Sequence, residues 1–279
     1  MTTASVLTIL IPANNEQAYI GRCLDALLEQ DAAAGTLRVV VAANACRDAT
    51  VATARSREAA FAARGSKLIV LDIAEPGKPN ALDCAEAEAA EGARVFLDAD
   101  VICDPELIGQ IRIALATAAP RYATGTLCVM PARSSFTRAY ARLWQNLPFF
   151  QSGAVGAGFF AVNPAGRARW GRFPRIISDD TFVRVNFTPE ERVEVPARYH
   201  WPMIEGFRGL VKVRRRQDAG VMQMQALYPQ LMANEAKPPL HKTRLLGLAL
   251  RQPLDLAAYL AVHLAVRLYP KTTDWTRGR

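Results

Sequence analysis

Arg94-Val95-Phe96-Leu97-Asp98-Ala99-Asp100 is an apolar run that stops at two carboxylates separated by one small residue. A short apolar run bounded by polar residues reads as a buried strand. Residues at i and i+2 of an extended segment point the same way, so Asp98 and Asp100 are expected on one side of the strand end. Hard oxygen ligands so placed suit Mg²⁺ or Mn²⁺, and magnesium sites commonly combine one or two carboxylates with substrate phosphates. Taken alone, such a pair is more often an acidic turn after a strand. The flanking segments decide.

Upstream, Ser5 to Ile11 reads as a buried strand ending at Pro12-Ala13-Asn14-Asn15-Glu16. A helix follows with Ile20, Cys23, Leu24, Leu27 and Leu28 at helical spacing. Leu37 to Ala43 is a second strand, stopping at Asn44-Ala45-Cys46-Arg47-Asp48, and an Ala-rich helix then runs to about Arg64. Lys67 to Ile73 is a third strand, leading to Glu75-Pro76-Gly77-Lys78-Pro79-Asn80 and a helix over Ala81 to Glu91. Beyond the Asp pair, Asp104 is expected to cap a helix with Pro105 at its first position. Four alternations of strand and helix predict an α/β fold with a mostly parallel, Rossmann-like sheet flanked by helices. Ligands of such sheets bind outside the carboxyl ends of the strands. All four polar clusters fall there, which makes a ligand rim.

The second half is less regular. Tyr122 to Val129 reads as a strand, Phe136 to Asn146 as a helix, and Gly153 to Gly158 as a flexible loop entering the apolar Phe159 to Val162. Ser178-Asp179-Asp180 has the form of a helix start, where acids suit the dipole.

Composition narrows the function classes. With 51% hydrophobic and 22% charged residues, the chain carries enough apolar side chains for a packed core. Its net charge of +8 favours phosphorylated substrates or anionic surfaces. The basic residues are not interleaved with aromatics in a dense tract, so no nucleic-acid partner is expected. Five cysteines (Cys23, Cys46, Cys84, Cys103, Cys128) without a Cys-x-x-Cys pair argue against a disulfide framework or zinc knuckle. No signal-peptide pattern opens the sequence, and no stretch has the ~18 or more apolar residues of a spanning helix. The expected location is cytoplasmic, with peripheral attachment to the inner face of the membrane as a variant.

The ordered segments resemble family 2 glycosyltransferases of the GT-A fold over roughly Val6 to Gly220. Pro12-Ala13-Asn14-Asn15-Glu16 is similar to that family's first nucleotide-contacting loop, and Asn44 to Thr50 to its second. Gly77-Lys78-Pro79-Asn80-Ala81-Leu82 resembles its Gly-Lys-x-x-Ala-Leu segment, and Asp98-Ala99-Asp100 its Asp-x-Asp motif. Asp179-Asp180 stands where Glu-Asp is usual, with Arg184 downstream. Arg214 to Gly220 resembles the Arg-x-Arg-Trp-x-x-Gly region. The sequence departs from the pattern at Ala43, where an Asp commonly meets the base. It departs also at Asp179, and at Val213 and Gln217, which replace the Gln and Trp that line the acceptor channel of processive synthases.

The resemblance implies an inverting, single-addition hexosyltransferase using Mg²⁺ or Mn²⁺ and a UDP- or GDP-sugar donor. The acceptor would be a glycan or lipid-linked hydroxyl. Donor contacts are implied for Pro12, Ala13, Asn15, Glu16, Asn44, Asp48, Lys78, Asp98 and Ala99, and metal contacts for Asp100 and Asp98. Asp180 is implied as general base with Asp179 beside it; Gly156, Gly158, Arg214 and Arg216 as acceptor or diphosphate contacts. His200 stays outside the metal set. The competing readings are a non-catalytic nucleotide-sugar or glycan-binding protein, and a sugar-nucleotide pyrophosphorylase. The latter usually carries a Gly-rich basic loop where Pro12 to Glu16 stands.

The expected division is a catalytic domain over 1–220, with a nucleotide-sugar half to about 103 and an acceptor half over 104–220, then a helical extension over 221–279. In that extension Leu245 to Leu250 and Leu254 to Tyr269 are strongly apolar. On the second stretch Asp255, Tyr259, His263 and Arg267 form one narrow polar stripe. Such a helix must bury most of its surface: against the catalytic domain, in a homodimer, or in an anionic membrane surface aided by Arg244, Arg251, Arg267 and Lys271.

Overall fold

The structure is a computed structural model and describes residues 6–151, 153–239 and 242–268. In chain order the strands and helices are β1 (Leu7–Ala13), α1 (Ile20–Leu28), β2 (Leu37–Asn44), α2 (Thr50–Arg55), α3 (Glu58–Ala63), β3 (Lys67–Ile73), α4 (Lys78–Ala87), β4 (Arg94–Leu97), β5 (Ile102–Cys103), α5 (Leu107–Ala114) and β6 (Tyr122–Val129). There follow α6 (Ser135–Trp144), α7 (Pro148–Gln151), β7 (Phe159–Val162), α8 (Pro164–Arg167), α9 (Asp179–Val185), β8 (Arg192–Trp201), α10 (Gly206–Leu227), α11 (Pro229–Met232), α12 (Lys242–Arg251) and α13 (Pro253–Leu268). The chain divides into two compact units. One comprises Met1–Cys128, Gly156–Arg175 and Asp179–Trp201; the other Val129–Val155, Ile176–Ser178 and Pro202–Arg279. Position 220 lies inside α10 of the second unit.

The first unit is built on one eight-stranded sheet in the order β3-β2-β1-β4-β7-β6-β8-β5. β1 pairs in parallel with β2 and β4, and β2 with β3. Buried Ile9, Leu10, Val39, Val40, Val95 and Phe96 give these central strands the continuous apolar character of strands covered on both faces. The strand order reverses between β1 and β4, whose register sets Thr8 against Arg94 and Leu10 against Phe96. Such a switch point opens a crevice at the carboxyl ends of the strands. β7 then runs antiparallel to β4, with Leu97 opposite Phe159. Under the crevice Phe96 stacks on Phe160 at 4.9 Å between centroids, and Phe173 meets Phe96 edge-on at 5.4 Å. These rings form a stiff apolar floor.

Three local expectations change. β4 stops at Leu97, and Asp98 to Val101 turns back on itself, the Val101 N–H donating to the Asp98 carbonyl at 3.2 Å. The same-side argument from extended geometry therefore fails. The Asp98 side chain is 37% exposed, whereas Asp100 is 5% exposed. The helix expected from Asp104 begins at Leu107. Asp104 instead heads a turn, and its carboxylate lies 2.8 Å from His200 Nε2. The single Ala-rich helix expected up to Arg64 is two short ones, α2 and α3.

The second unit is helical among its described residues. α13 packs against α6 and α10 with the start of its polar stripe, Asp255 and Tyr259, turned inward, while Arg267 at the far end of the stripe is exposed. Asp255 is buried and accepts two bonds from Arg142, at 2.9 Å from Nε and 2.6 Å from Nη2. Tyr259 stacks on Tyr140 at 5.4 Å and approaches Arg214 Nη1 at 3.3 Å. A two-pronged Arg–carboxylate bond fixes geometry as well as charge. Arg142→Ala leaves the Asp255 carboxylate buried without this donor. It is expected to lower unfolding free energy by about 1–2 kcal/mol, the Arg side of the pair being solvent-screened. Urea titration reads this, and an unchanged midpoint would mean that the pair contributes nothing.

Candidate active site

Three rim loops meet at the carboxyl end of the sheet because their side chains tie them together. After β1, Asn14 Nδ2 donates to the carbonyls of Asn44 and Ala45. Asn15 adopts a left-handed φ of 53°, and its Oδ1 accepts from Arg47 N at 2.7 Å. The Glu16 N–H donates to Thr50 Oγ1 at 2.7 Å. After β2, Asn44 is buried, and its amide grips Gly77 in both directions: Nδ2 to the carbonyl at 2.7 Å, and the Gly77 N–H to Oδ1 at 3.0 Å. Gly77 has φ 137°, which an L side chain rarely adopts. Asp48 accepts from the backbone and hydroxyl of Thr50 and from Gln17 N. Partial burial works to raise the Asp48 carboxyl, but these donors outweigh it and hold it below the usual range. Asn44 and Asp48 thus shape the loops through their own side chains.

A cleft opens at the switch point. It is lined by Pro12 from the end of β1, Lys78 and Leu82 from α4, Phe96, Leu97 and Asp98 from β4 and its turn, Gly158 and Phe160 around the start of β7, and Asp179 and Asp180 from α9. Lys78 is its electrostatic centre. Nζ lies 3.0 Å from Asp98 Oδ1 and 3.0 Å from Asp179 Oδ2. Its enclosed position works to lower the ammonium, but Asp179, Asp98 and Asp180 outweigh that and raise it above the ordinary lysine range. Asp180 receives the Thr181 N–H at 2.7 Å. Burial, with Asp179 next to it, pushes its carboxyl up; Lys78 pulls the other way.

Sequence reading thus named Asp98, Asp179, Asp180, Lys78, Pro12 and Gly158, and the fold brings these together. It did not identify Lys78 as the shared counter-ion of two carboxylates, nor Leu82, Phe96 and Phe160 as cleft walls. A lysine beside a Gly-Pro turn carries no local sign of a carboxylate about 100 residues away in sequence. Gly158 passes its carbonyl to the Asp98 N–H at 2.8 Å with φ 74°. A Cβ there would stand 3.4 Å from Asp98 Oδ2 and 3.0 Å from Trp201 and Val101. Gly156 backs onto the Tyr122 hydroxyl, where a Cβ would collide at 1.7 Å. Ala13 ends β1, and Ala99 and Asp100 lie in the turn after β4; all three are buried. Arg214 and Arg216 belong to the second unit, where Arg214 Nε is held by Asp218 Oδ1 at 2.9 Å. Burial drives the Cys103 thiol well above its usual range, so it is no nucleophile.

Among the described residues no three His, Cys, Asp or Glu side chains form a metal-holding group. The chemistry of Asp98 and Asp100 nevertheless fits a divalent ion whose other ligands are diphosphate oxygens and water, the usual composition of a magnesium site. His200 is engaged with Asp104.

The family model for glycosyl transferase family 2 matches residues 8–169. No curated protein sequence matches the chain significantly. Among solved structures, the mannosyltransferase PcManGT from Pyrobaculum calidifontis, in complex with GDP-Man and Mn2+, is similar at 19% identity and TM-score 0.62, over 96% of this chain and 88% of that one. TarS 1-349 of S. aureus, in complex with UDP, is similar at 15% identity and TM-score 0.56, over 94% and 81%. Glucosyl-3-phosphoglycerate synthase of Mycobacterium tuberculosis, with Mn2+ and UDP-Glc, reaches TM-score 0.50 at 15% identity, over 80% and 78%. These likenesses establish the GT-A fold.

Proposed function

The chain belongs to glycosyl transferase family 2, and from that premise we propose that it transfers one hexose, with inversion, from a UDP- or GDP-sugar to a hydroxyl of a glycan or lipid-linked acceptor. The observation that carries this reading is the cleft at the β1/β4 switch point, where Lys78 joins Asp98 to Asp179 and Asp180 stands beside them. Solved structures of the same fold hold GDP-Man or UDP-Glc together with Mn2+.

The chemistry divides among this chain's own residues. Pro12, Ala13, Asn15, Glu16 and Ala99 are assigned to the donor along the rim, with Asn44 and Asp48 keeping that rim in shape. Lys78 bridges the Asp98 and Asp179 carboxylates, and its charge faces the region where the diphosphate would leave. Asp180 takes the acceptor hydroxyl proton as the new bond to the anomeric carbon forms and the bond to the diphosphate oxygen breaks. Its raised pKa makes its carboxylate a stronger base than an ordinary one. Asp179, fixed by Lys78, orients that step. Gly156 and Gly158 admit the acceptor or the diphosphate close to backbone. A Mg²⁺ or Mn²⁺ ion, when held by Asp98 and Asp100, stabilises the charge that gathers on the departing diphosphate.

Release of nucleoside diphosphate from a panel of UDP- and GDP-sugars in Mn²⁺ tests the assignment. Asp100→Asn is expected to lower that rate by about 10²-fold or more, the usual scale of losing a leaving-group stabiliser. Equal rates in variant and wild type would remove Asp100 from the mechanism, and no release by the wild type would favour a non-catalytic binder.

A further inference from the structure

α12 and α13 are amphipathic the wrong way round. The inward face of α13 carries Asp255 and the small Ala258, Val262 and Ala265, all buried. Leu260, Leu264 and Leu268, spaced four apart on its other face, are exposed. So are Leu254 at its start and Leu246 and Leu250, also four apart, on α12. These six leucines are between 43 and 82% exposed. A row of this size on a helix surface marks an interaction site.

Charge selects the occupant. Exposed Arg251 closes α12 two residues before α13 begins, and exposed Arg267 lies in the last turn of α13. Over residues 242–279 the sequence holds seven Lys or Arg and two acids, of which Asp255 is consumed by Arg142. An isologous antiparallel pairing of α13 with a second copy would bring Arg251 against Arg267, a like-charge contact. No described helix is long and apolar enough to cross a membrane. The 16 residues of α13 span about 24 Å, less than the roughly 30 Å of a bilayer core. Leucines flanked by arginines on a helix of this length match an interfacial helix lying in the plane of an anionic bilayer.

We propose that the outer face of α12 and α13 docks on an anionic lipid surface, with Leu260, Leu264 and Leu268 entering the acyl boundary and Arg251 and Arg267 meeting the headgroups. Flotation of the full chain tests this with vesicles of phosphatidylcholine alone and of phosphatidylcholine mixed with phosphatidylglycerol. The bound fraction on the anionic vesicles is expected to be about tenfold higher or more. Leu264→Asp/Leu268→Asp is expected to abolish binding, and Arg251→Gln/Arg267→Gln to reduce it about tenfold on anionic vesicles only. Circular dichroism checks folding, and Leu250→Gln/Leu254→Gln is a second apolar variant if the first misfolds. Absence of wild-type flotation, or flotation that survives both leucine variants, overturns the proposal. So does a wild-type dimer in light scattering that Leu264→Asp/Leu268→Asp converts to monomer. The assay requires neither donor nor turnover, so its outcome is separate from that of the transferase reading.

Discussion

Asp180→Asn lowers the turnover number by about 10²–10⁴-fold, the range of a positioned general base, and leaves nucleotide affinity intact. The exchange is nearly isosteric and keeps the acceptor oxygen for the Thr181 N–H; what it removes is the capacity to take a proton. A pH profile adds a second readout. Burial and Asp179 raise the Asp180 carboxyl above the usual range, so wild-type activity falls as pH drops through that raised value. The variant's residual rate lacks this acid limb. Stability moves the other way. A carboxyl whose folded pKa lies above its unfolded one contributes stability below the unfolded value and loses it as pH rises through the folded value. Above that folded value the wild type therefore bears the cost of an ionised Asp180, and there Asp180→Asn should melt higher. Near-normal turnover in the variant would move the base elsewhere.

Lys78→Met has the second large effect. The methionine fills the aliphatic volume but leaves Asp98, Asp179 and Asp180 in one cleft without their shared cation. Breaking a fully buried pair costs about 3–5 kcal/mol. Lys78 is 31% exposed, and solvent screening brings the expectation down to about 2 kcal/mol. The lysine's folded pKa is raised, so its stabilising contribution is complete below the ordinary lysine range and is lost only as pH climbs through the higher folded value. At neutral pH the deficit is therefore present in full. Without the lysine, the Asp180 carboxyl loses the cation that pulls it down and rises further, and the acid limb of any residual activity shifts to higher pH. An unchanged unfolding midpoint together with an unshifted pH profile would mean that the ammonium is not the organising charge.

Local sequence carried the sheet, and long-range contacts carried the rest. The apolar runs Leu37 to Ala43, Lys67 to Ile73 and Tyr122 to Val129 become strands with nearly those bounds, because β-branched and aromatic residues between polar stops leave little choice. Parallel pairing and a rim at the carboxyl ends follow from the alternation of strand and helix. The different fates of Asp98 and Asp100 were not legible, since two-residue periodicity holds only while the chain stays extended and β4 ends at Leu97. Neither was the use of Asn44, whose amide is engaged by Gly77 from another loop. The α13 stripe was visible as a stripe, but periodicity does not say which face turns inward. The Arg142 and Tyr140 partners of α6 decide that.

The central claim is that the β1/β4 cleft receives a nucleotide-sugar donor with a divalent ion. Thermal unfolding of the wild type against UDP, GDP and their sugars, each with and without Mn²⁺, tests it most directly. One nucleotide series is expected to raise the melting temperature with the logarithm of ligand concentration, Mn²⁺ to enlarge the shift, and Asp98→Asn/Asp100→Asn to remove the enlargement. A melting temperature flat across the whole panel, with and without the ion, would contradict it.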